Sequence, residues 1–293
     1  MASQKALQSW MLQSGVWVIL IVLIGIPFLV NLIYSLSEFR FETLLSPTIS
    51  GWDNYVRVIQ DSEFRDALWF SFQFASVTTC AEVIVGAAIA IYLGPLLQRQ
   101  QALMAILMLP MMLSPAVVGN FWTFLYQPQI GLFNYVIAFF TGADPSSFSM
   151  IGEVGLAPWA IVIVDTWMWT PFVMLICLAG LRSIPPSIYE AAECDRASKW
   201  RQFWTITIPM VLPFLMLAVL FRGIENFKMF DLVVQLTGGG PGATTQLVSI
   251  DLKREAFEKW RTGYASAYAV ILFVTVFGLA SIYVKALNKV KDR

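Results

Sequence analysis

Histidine is absent from the 293 residues, and with it the side chain most often used as general base and metal ligand near neutral pH. Cysteine is scarce. Cys80, Cys177 and Cys194 stand far apart, without the paired spacing of a zinc ribbon or a redox CxxC motif. Charge is sparse as well: 13% of residues are Asp, Glu, Lys or Arg, against about 25% in ordinary soluble domains. The 19 basic residues balance the 19 acidic ones, which leaves no excess for a nucleic-acid backbone and no block of one sign for a disordered tail. Nowhere does a G-x-x-x-x-G-K run precede Ser or Thr, so the chain lacks the phosphate-binding loop of a P-loop nucleotide hydrolase.

What the chain has instead is apolar length. Residues of the Ala, Val, Ile, Leu, Met, aromatic and Cys types make up 58%, and residues 6–37 carry no charge. Within that stretch the strongly apolar part matches the ~20 residues a helix needs to cross ~30 Å of hydrocarbon. It is longer than a signal-peptide core and is followed by no small-residue cleavage pattern, so it reads as a retained anchor. Membrane helices are expected at about 15–36, 67–93, 103–126, 156–181, 203–224 and 264–286. The expectation is an all-α, six-helix membrane protein in a single domain covering residues 1–293.

An even number of crossings puts both termini on one side, and basic residues collect on the cytoplasmic side. Lys5, Arg99, Arg182, Arg196, Lys199, Arg201, Lys285, Lys289, Lys291 and Arg293 fall together under that rule, so both termini read as cytoplasmic. The connection over 226–263, with Lys228, Lys253, Arg254, Lys259 and Arg261, runs against it. Pro27, Pro110, Pro115, Pro171, Pro209 and Pro213 interrupt apolar runs, where a freed carbonyl needs neighbouring protein or a cavity. They suit a bundle that moves, and equally the ordinary abundance of proline in membrane helices.

The most informative stretch follows Pro185-Pro186, where a helix can start but not continue. A helix over about 187–197 places Ile188, Ala191, Ala192 and Asp195 on one small-residue face, with Glu190, Glu193 and Arg196 on a more polar side. Such a helix could receive force from another subunit, or lie amphipathically among lipid headgroups.

Glu190-Ala191-Ala192, Asp195, Ala197-Ser198, Trp200, Phe203 and Ile206-Thr207-Ile208-Pro209 resemble the EAA signature of ABC-importer membrane subunits. The likeness extends through Ala179 to Pro185, Phe227 to Asp231 and Leu236 to Gly242. There it is similar to the carbohydrate-uptake branch that includes the maltose and glycerol-phosphate permeases. It implies a coupling helix formed by Glu190, Ala191, Ala192, Asp195, Arg196 and Ala197 and seated in a cleft of an ATPase. It also implies a bacterial cytoplasmic membrane location, two ATP-binding subunits, a second homologous permease and an external solute-binding protein. By that resemblance ATP and Mg belong to the partners, and this chain is expected to be no enzyme and to hold no cofactor or metal. The family commonly has Gly where this chain has Arg196, at a turn where a positive φ is easiest for Gly.

Gly238, Gly239, Gly240 and Pro241 read as an external loop, either a plain flexible turn or a contact for the binding protein. Ionisable groups inside apolar helices are functional candidates by default. Arg222 and Glu225, at i and i+3, are read first as a pair with each other and second as cavity residues, while Glu82 and Asp165 read as structural partners for neighbouring helices. Asn120, Trp122, Trp167, Trp169, Asn226 and Phe227 could line a sugar pathway, since aromatic faces take the C–H face of a sugar and amides its hydroxyls. Interfacial belts account for tryptophans equally well. A self-contained carrier or channel is the competing reading, and the EAA-like segment counts against it.

Overall fold

The structure, a computed structural model, describes residues 14–38, 48–142 and 144–291. Lys5 and Arg293, two of the charges that orient the termini, lie outside the described residues. Contacts group the chain into two units, one formed by residues 1–65 and 251–275 and the other by 66–250 and 276–293. Among the described residues five helices are long and apolar enough to cross a membrane, and six if a bent pair forms one span.

The first unit begins with α1 (Ser14–Ser35), exposed along most of its length as suits a helix with no polar face. Strands β1 (Ser37–Glu38) and β2 (Thr48–Ile49) pair antiparallel. They lead to α2 (Asp53–Gln60), whose buried Asn54 donates to the carbonyls of Ser35 and Ser37. The long helix α3 (Ser62–Arg99) starts in this unit and continues into the second, overrunning the expected 67–93 at both ends. Phe64 meets the Tyr268 ring edge-on at 4.8 Å, and the Tyr264 hydroxyl donates to Asp61 at 2.7 Å.

In the second unit the expected span at 103–126 is broken. Helices α4 (Gln101–Met112) and α5 (Pro115–Leu125) meet at 95°. The cause is local: Pro115 drives the residue before it out of the helical region, and Leu113 and Ser114 are extended. Next come α6 (Leu132–Thr141), α7 (Ala157–Arg182), α8 (Pro186–Cys194) and α9 (Lys199–Phe227). They are followed by α10 (Asp231–Leu236), α11 (Val248–Lys253) and α12 (Thr262–Lys291), which runs through both units. Ahead of α7, Asp144 caps a 3-10 turn, and the Ser146 amide and hydroxyl hold its carboxyl below the usual carboxylate range.

Because lipid tails are as apolar as leucine, helices in a membrane associate through close packing at small residues more than through water exclusion. Gly86 in α3 shows the geometry: a Cβ there would lie 2.8 Å from Val173 Cβ on α7. Gly180 does the same against Phe214 of α9, at 2.9 Å from its ring. One core cluster joins Val118 and Trp122 of α5 with Ile161, Val164 and Met168 of α7 and Leu232 and Leu236 of α10. A second joins Ala90 and Leu97 of α3 with Met174 and Cys177 of α7 and Val211 of α9.

Two prolines explain two helical irregularities. The segments Ile21–Gly25 in α1 and Phe203–Thr207 in α9 are π turns, standing just before Pro27 and Pro209. A proline ring collides with the carbonyl four residues earlier, here Leu23 and Thr205, and both carbonyls fall inside the widened turn. The amides of Ile26 and Ile208 accordingly reach five residues back, to Ile21 and Phe203.

Candidate functional site

Two groups of charged side chains stand out in the second unit, one dry and one wet. The dry one is built on Arg222, 2% exposed in the body of α9. Its guanidinium grips Glu82 of α3 with two nearly parallel bonds of 2.7 and 2.8 Å, and reaches Asp165 of α7 at 3.0 Å. The same fork donates to Asn226 Oδ1 at 2.5 Å, while Asn226 Nδ2 donates to the Thr79 hydroxyl at 3.1 Å. Trp169 covers the guanidinium, its ring centroid 4.5 Å from Cζ. Glu82, Asp165 and Asn226 are each fully buried. Three helices are thereby joined at one point by charge-assisted bonds, two to Glu82 and one to Asp165, in a medium that screens them little.

This corrects the local pairing read from the spacing. Glu225 is exposed and pairs with Lys228 at 2.8 Å, not with Arg222. Arg222 faces inward, so its partner within the helix is Asn226 at i+4 and its ionic partners come from other helices. Of the pathway candidates, the structure brings Trp169, Arg222 and Asn226 together. It sets Trp122 against Trp167, edge-on at 5.5 Å. Trp167 also lines a cavity of about 820 Å³ between α3, α4 and α7, walled by Val85, Leu109, Pro110, Trp159 and Thr170. Phe227 lines another of about 440 Å³ with Thr79, Cys80, Leu220 and Tyr283. Asn120 is exposed on α5, and its amide donates to its own helix at Ala116. Thr79 was not read from the sequence; a threonine in an apolar helix carries no signal until its partner is known.

The wet group is α8. No residue of this helix is buried; Glu190, Ala191, Asp195 and Arg196 are exposed, and Ala192 and Ala197 half-buried. The expected small-residue face is divided, because Ile188 turns inward with Tyr189 onto the second core cluster while Ala191 and Asp195 face outward. The helix ends in a Schellman turn: the Ala197 amide bonds to Ala192 O at 2.9 Å and the Arg196 amide to Glu193 O at 2.9 Å. Arg196 adopts φ +54, so the left-handed turn forms with arginine where glycine is easier. Lys199 then ties back to Glu193 at 2.6 Å, and Ser198 caps α9 by accepting from the Arg201 amide.

The glycine loop is ordered by its flanking threonines. Gly238 and Gly239 take φ +61 and +91, and the Thr237 and Thr245 hydroxyls bond each other at 2.8 Å. Thr245 Oγ1 also donates to Gly240 O at 2.7 Å, and Pro241 O accepts from Thr244. Its polar groups are thus largely satisfied within the loop rather than free as in a flexible turn. In the first unit Glu63, Asp251 and Glu255 bring carboxylate oxygens within 4.8 Å of one another. Arg254 bonds both Glu63 and Asp251, and Lys259 pairs with Glu255, so cations of the chain already occupy this acidic cluster.

Comparison with known proteins follows the same lines. The family described as binding-protein-dependent transport system inner membrane component matches residues 82–289. The trehalose/maltose transport system permease protein MalF of Thermococcus litoralis is 34% identical over 235 residues, 80% of this chain and 78% of that one. The sulfoquinovosyl glycerol transport system permease protein SmoG of Agrobacterium fabrum is 27% identical over 92% of this chain and 87% of its own. In fold, the chain is similar to one from a bacterial ABC transporter involved in import of the acidic polysaccharide alginate. The TM-score is 0.81 at 17% identity, over 98% of this chain and 96% of that one. The chain belongs to the inner-membrane component family of binding-protein-dependent transport systems, with the fold of an ABC-importer permease and no ATPase of its own.

Proposed function

We propose that this chain is one of two permease subunits of an importer that moves a neutral carbohydrate across the bacterial cytoplasmic membrane by ATP-driven alternating access. The relative named for trehalose and maltose transport, 34% identical, supports a sugar. The commitment of Arg222 carries the narrower claim of a neutral solute. Among the described residues it is the cation set in the body of a membrane-spanning helix, and Glu82 and Asp165 consume its charge. A carboxylate or sulfonate on the solute would have to displace one of them from a dry bidentate pair.

In this reading Glu190, Ala191, Ala192, Asp195, Arg196 and Ala197 dock in one of two ATP-binding subunits. ATP and Mg are held there, both termini are cytoplasmic, and an external binding protein delivers solute near the Gly238–Pro241 side. Trp167 and Phe227, each lining a cavity, and exposed Asn120 are pathway residues of this chain that remain available to sugar. ATP binding shifts a two-state equilibrium between inward- and outward-open forms, and the loaded binding protein biases the same equilibrium.

The test is uptake of radiolabelled trehalose by proteoliposomes holding the four-subunit complex, with and without ATP and binding protein. Uptake that requires both, and that a uronate disaccharide does not compete away, is the expected result. Uptake by the chain alone would replace the importer with a self-contained carrier.

A further inference from the structure

Helix α8 is attached to its own subunit at few points. Its two ends are joined to α7 and α9 by short turns, and the Lys199–Glu193 pair and the Gln202 amide on Ala197 O stay within the connecting turn. One polar contact goes further. The Tyr189 hydroxyl lies 2.8 Å from the Thr207 hydroxyl, carrying α8 past the turn onto the body of α9. Thr207 is buried, and Ile188, Tyr189 and Ile206 pack beside this contact on the second core cluster.

Thr207 is also the last residue of the π turn that precedes Pro209. A π turn holds one residue more than the α-helical path and is frequent at functional sites, and Pro209 sets its place in α9. About 22 Å further along the axis, by the helical rise per residue, Arg222 fixes the same helix to Glu82 of α3 and Asp165 of α7. Helix α9 is therefore tied to α3 and α7 by a dry ion-pair cluster and to α8 by a hydroxyl pair on its one irregular turn, with Val211 and Phe214 packed and the Met216 carbonyl bonded by Tyr283 in between.

We propose that Tyr189 and Thr207 are the positioning residues through which motion of α8 enters α9, and that the Arg222 cluster passes it to α3 and α7. The inference rests on the reading of α8 as the helix that docks an ATPase. The polar bond matters because tyrosine and threonine could otherwise slip past each other along an apolar contact. The hydroxyl pair fixes which residue of the π turn is pushed.

The experiment uses the full complex in proteoliposomes and measures trehalose uptake and ATP hydrolysis in the same vesicles, for Tyr189→Phe, Thr207→Val, their combination and Thr207→Ser. Loss of one hydrogen bond of about 1 kcal/mol corresponds to about a fivefold drop in trehalose moved per ATP. The expected result is that drop in each hydroxyl-free variant, with the double variant no worse than either single one. Subunit content and ATP hydrolysis stay near wild type, and Thr207→Ser, which keeps the hydroxyl, stays coupled. Wild-type coupling in Tyr189→Phe, or uptake and subunit content falling in parallel, would overturn the transmission role while leaving the importer intact. Wild-type vesicles that lack the ATPase, or move no trehalose on ATP, would remove the importer reading and this inference with it.

Discussion

Two charged regions of one subunit, the Arg222 cluster and helix α8, use the same residue types to opposite ends. At Arg222 one guanidinium serves two carboxylates of the same chain, and all three side chains are buried. On α8 the Glu190, Asp195 and Arg196 side chains stand in the open, on a helix with no buried residue. The difference follows from desolvation. A charge inside a membrane helix is tolerated only when satisfied by protein, so it becomes a joint between helices. A charge outside costs nothing to leave free and so remains available to another subunit. In this protein the charges of Glu82, Asp165 and Arg222 join helices, while those of Glu190, Asp195 and Arg196 are left exposed.

The sharpest break of that comparison is Arg222→Met. It strands two buried carboxylates, and removing one side of such a pair costs about 3–5 kcal/mol. Monodisperse protein by fluorescence-detected size exclusion should largely disappear. Combining Arg222→Met with Glu82→Gln and Asp165→Asn removes every charge together, and most of the folded protein should return. If the triple variant is as poorly folded as the single one, the cluster is more than a joint.

Gly86→Val tests the uncharged packing beside the same helices. Its side chain would collide with Val173 and the α7 backbone, with a loss of about 1–3 kcal/mol read as a lowered Tm in detergent. On α8 the smallest effect is expected from Arg196→Gly. Relief of a positive φ at the helix end should stabilise the subunit by about 0.5–1 kcal/mol, read as a raised Tm in detergent. A loss of uptake there would mean that the Arg196 side chain itself touches the ATPase.

The legible part of the fold was the part written in single apolar runs. Helices α1, α7, α9 and α12 follow from length and composition, because a span has to be apolar throughout. The break between α4 and α5 did not follow, although Pro110, Ser114 and Pro115 stand in plain view. Hydropathy counts how apolar a segment is and ignores its direction, and both arms of the bend are apolar. The site divides in the same way. Helix α8 and the difficulty at Arg196 were readable because the local motif and its turn lie within one short segment. Arg222 was given the wrong partner because spacing within a helix reports neighbours on that helix only. A charge count over all the apolar helices, one arginine against Glu82 and Asp165, held the better clue. The Tyr189–Thr207 contact depends on how α8 folds back on α9, which no local pattern encodes.

The most direct measurement is native mass spectrometry of the chain purified in mild detergent from cells expressing its whole transport system, for wild type and Glu190→Arg. An importer permease predicts a complex with a second permease and two ATP-binding subunits. The variant should keep the permease pair and lose the ATPases, since Glu190 is exposed and its replacement disturbs no core. A wild-type chain that flies alone or as a homo-oligomer, or a variant that keeps both ATPases, would contradict the assignment of α8 as the docking helix.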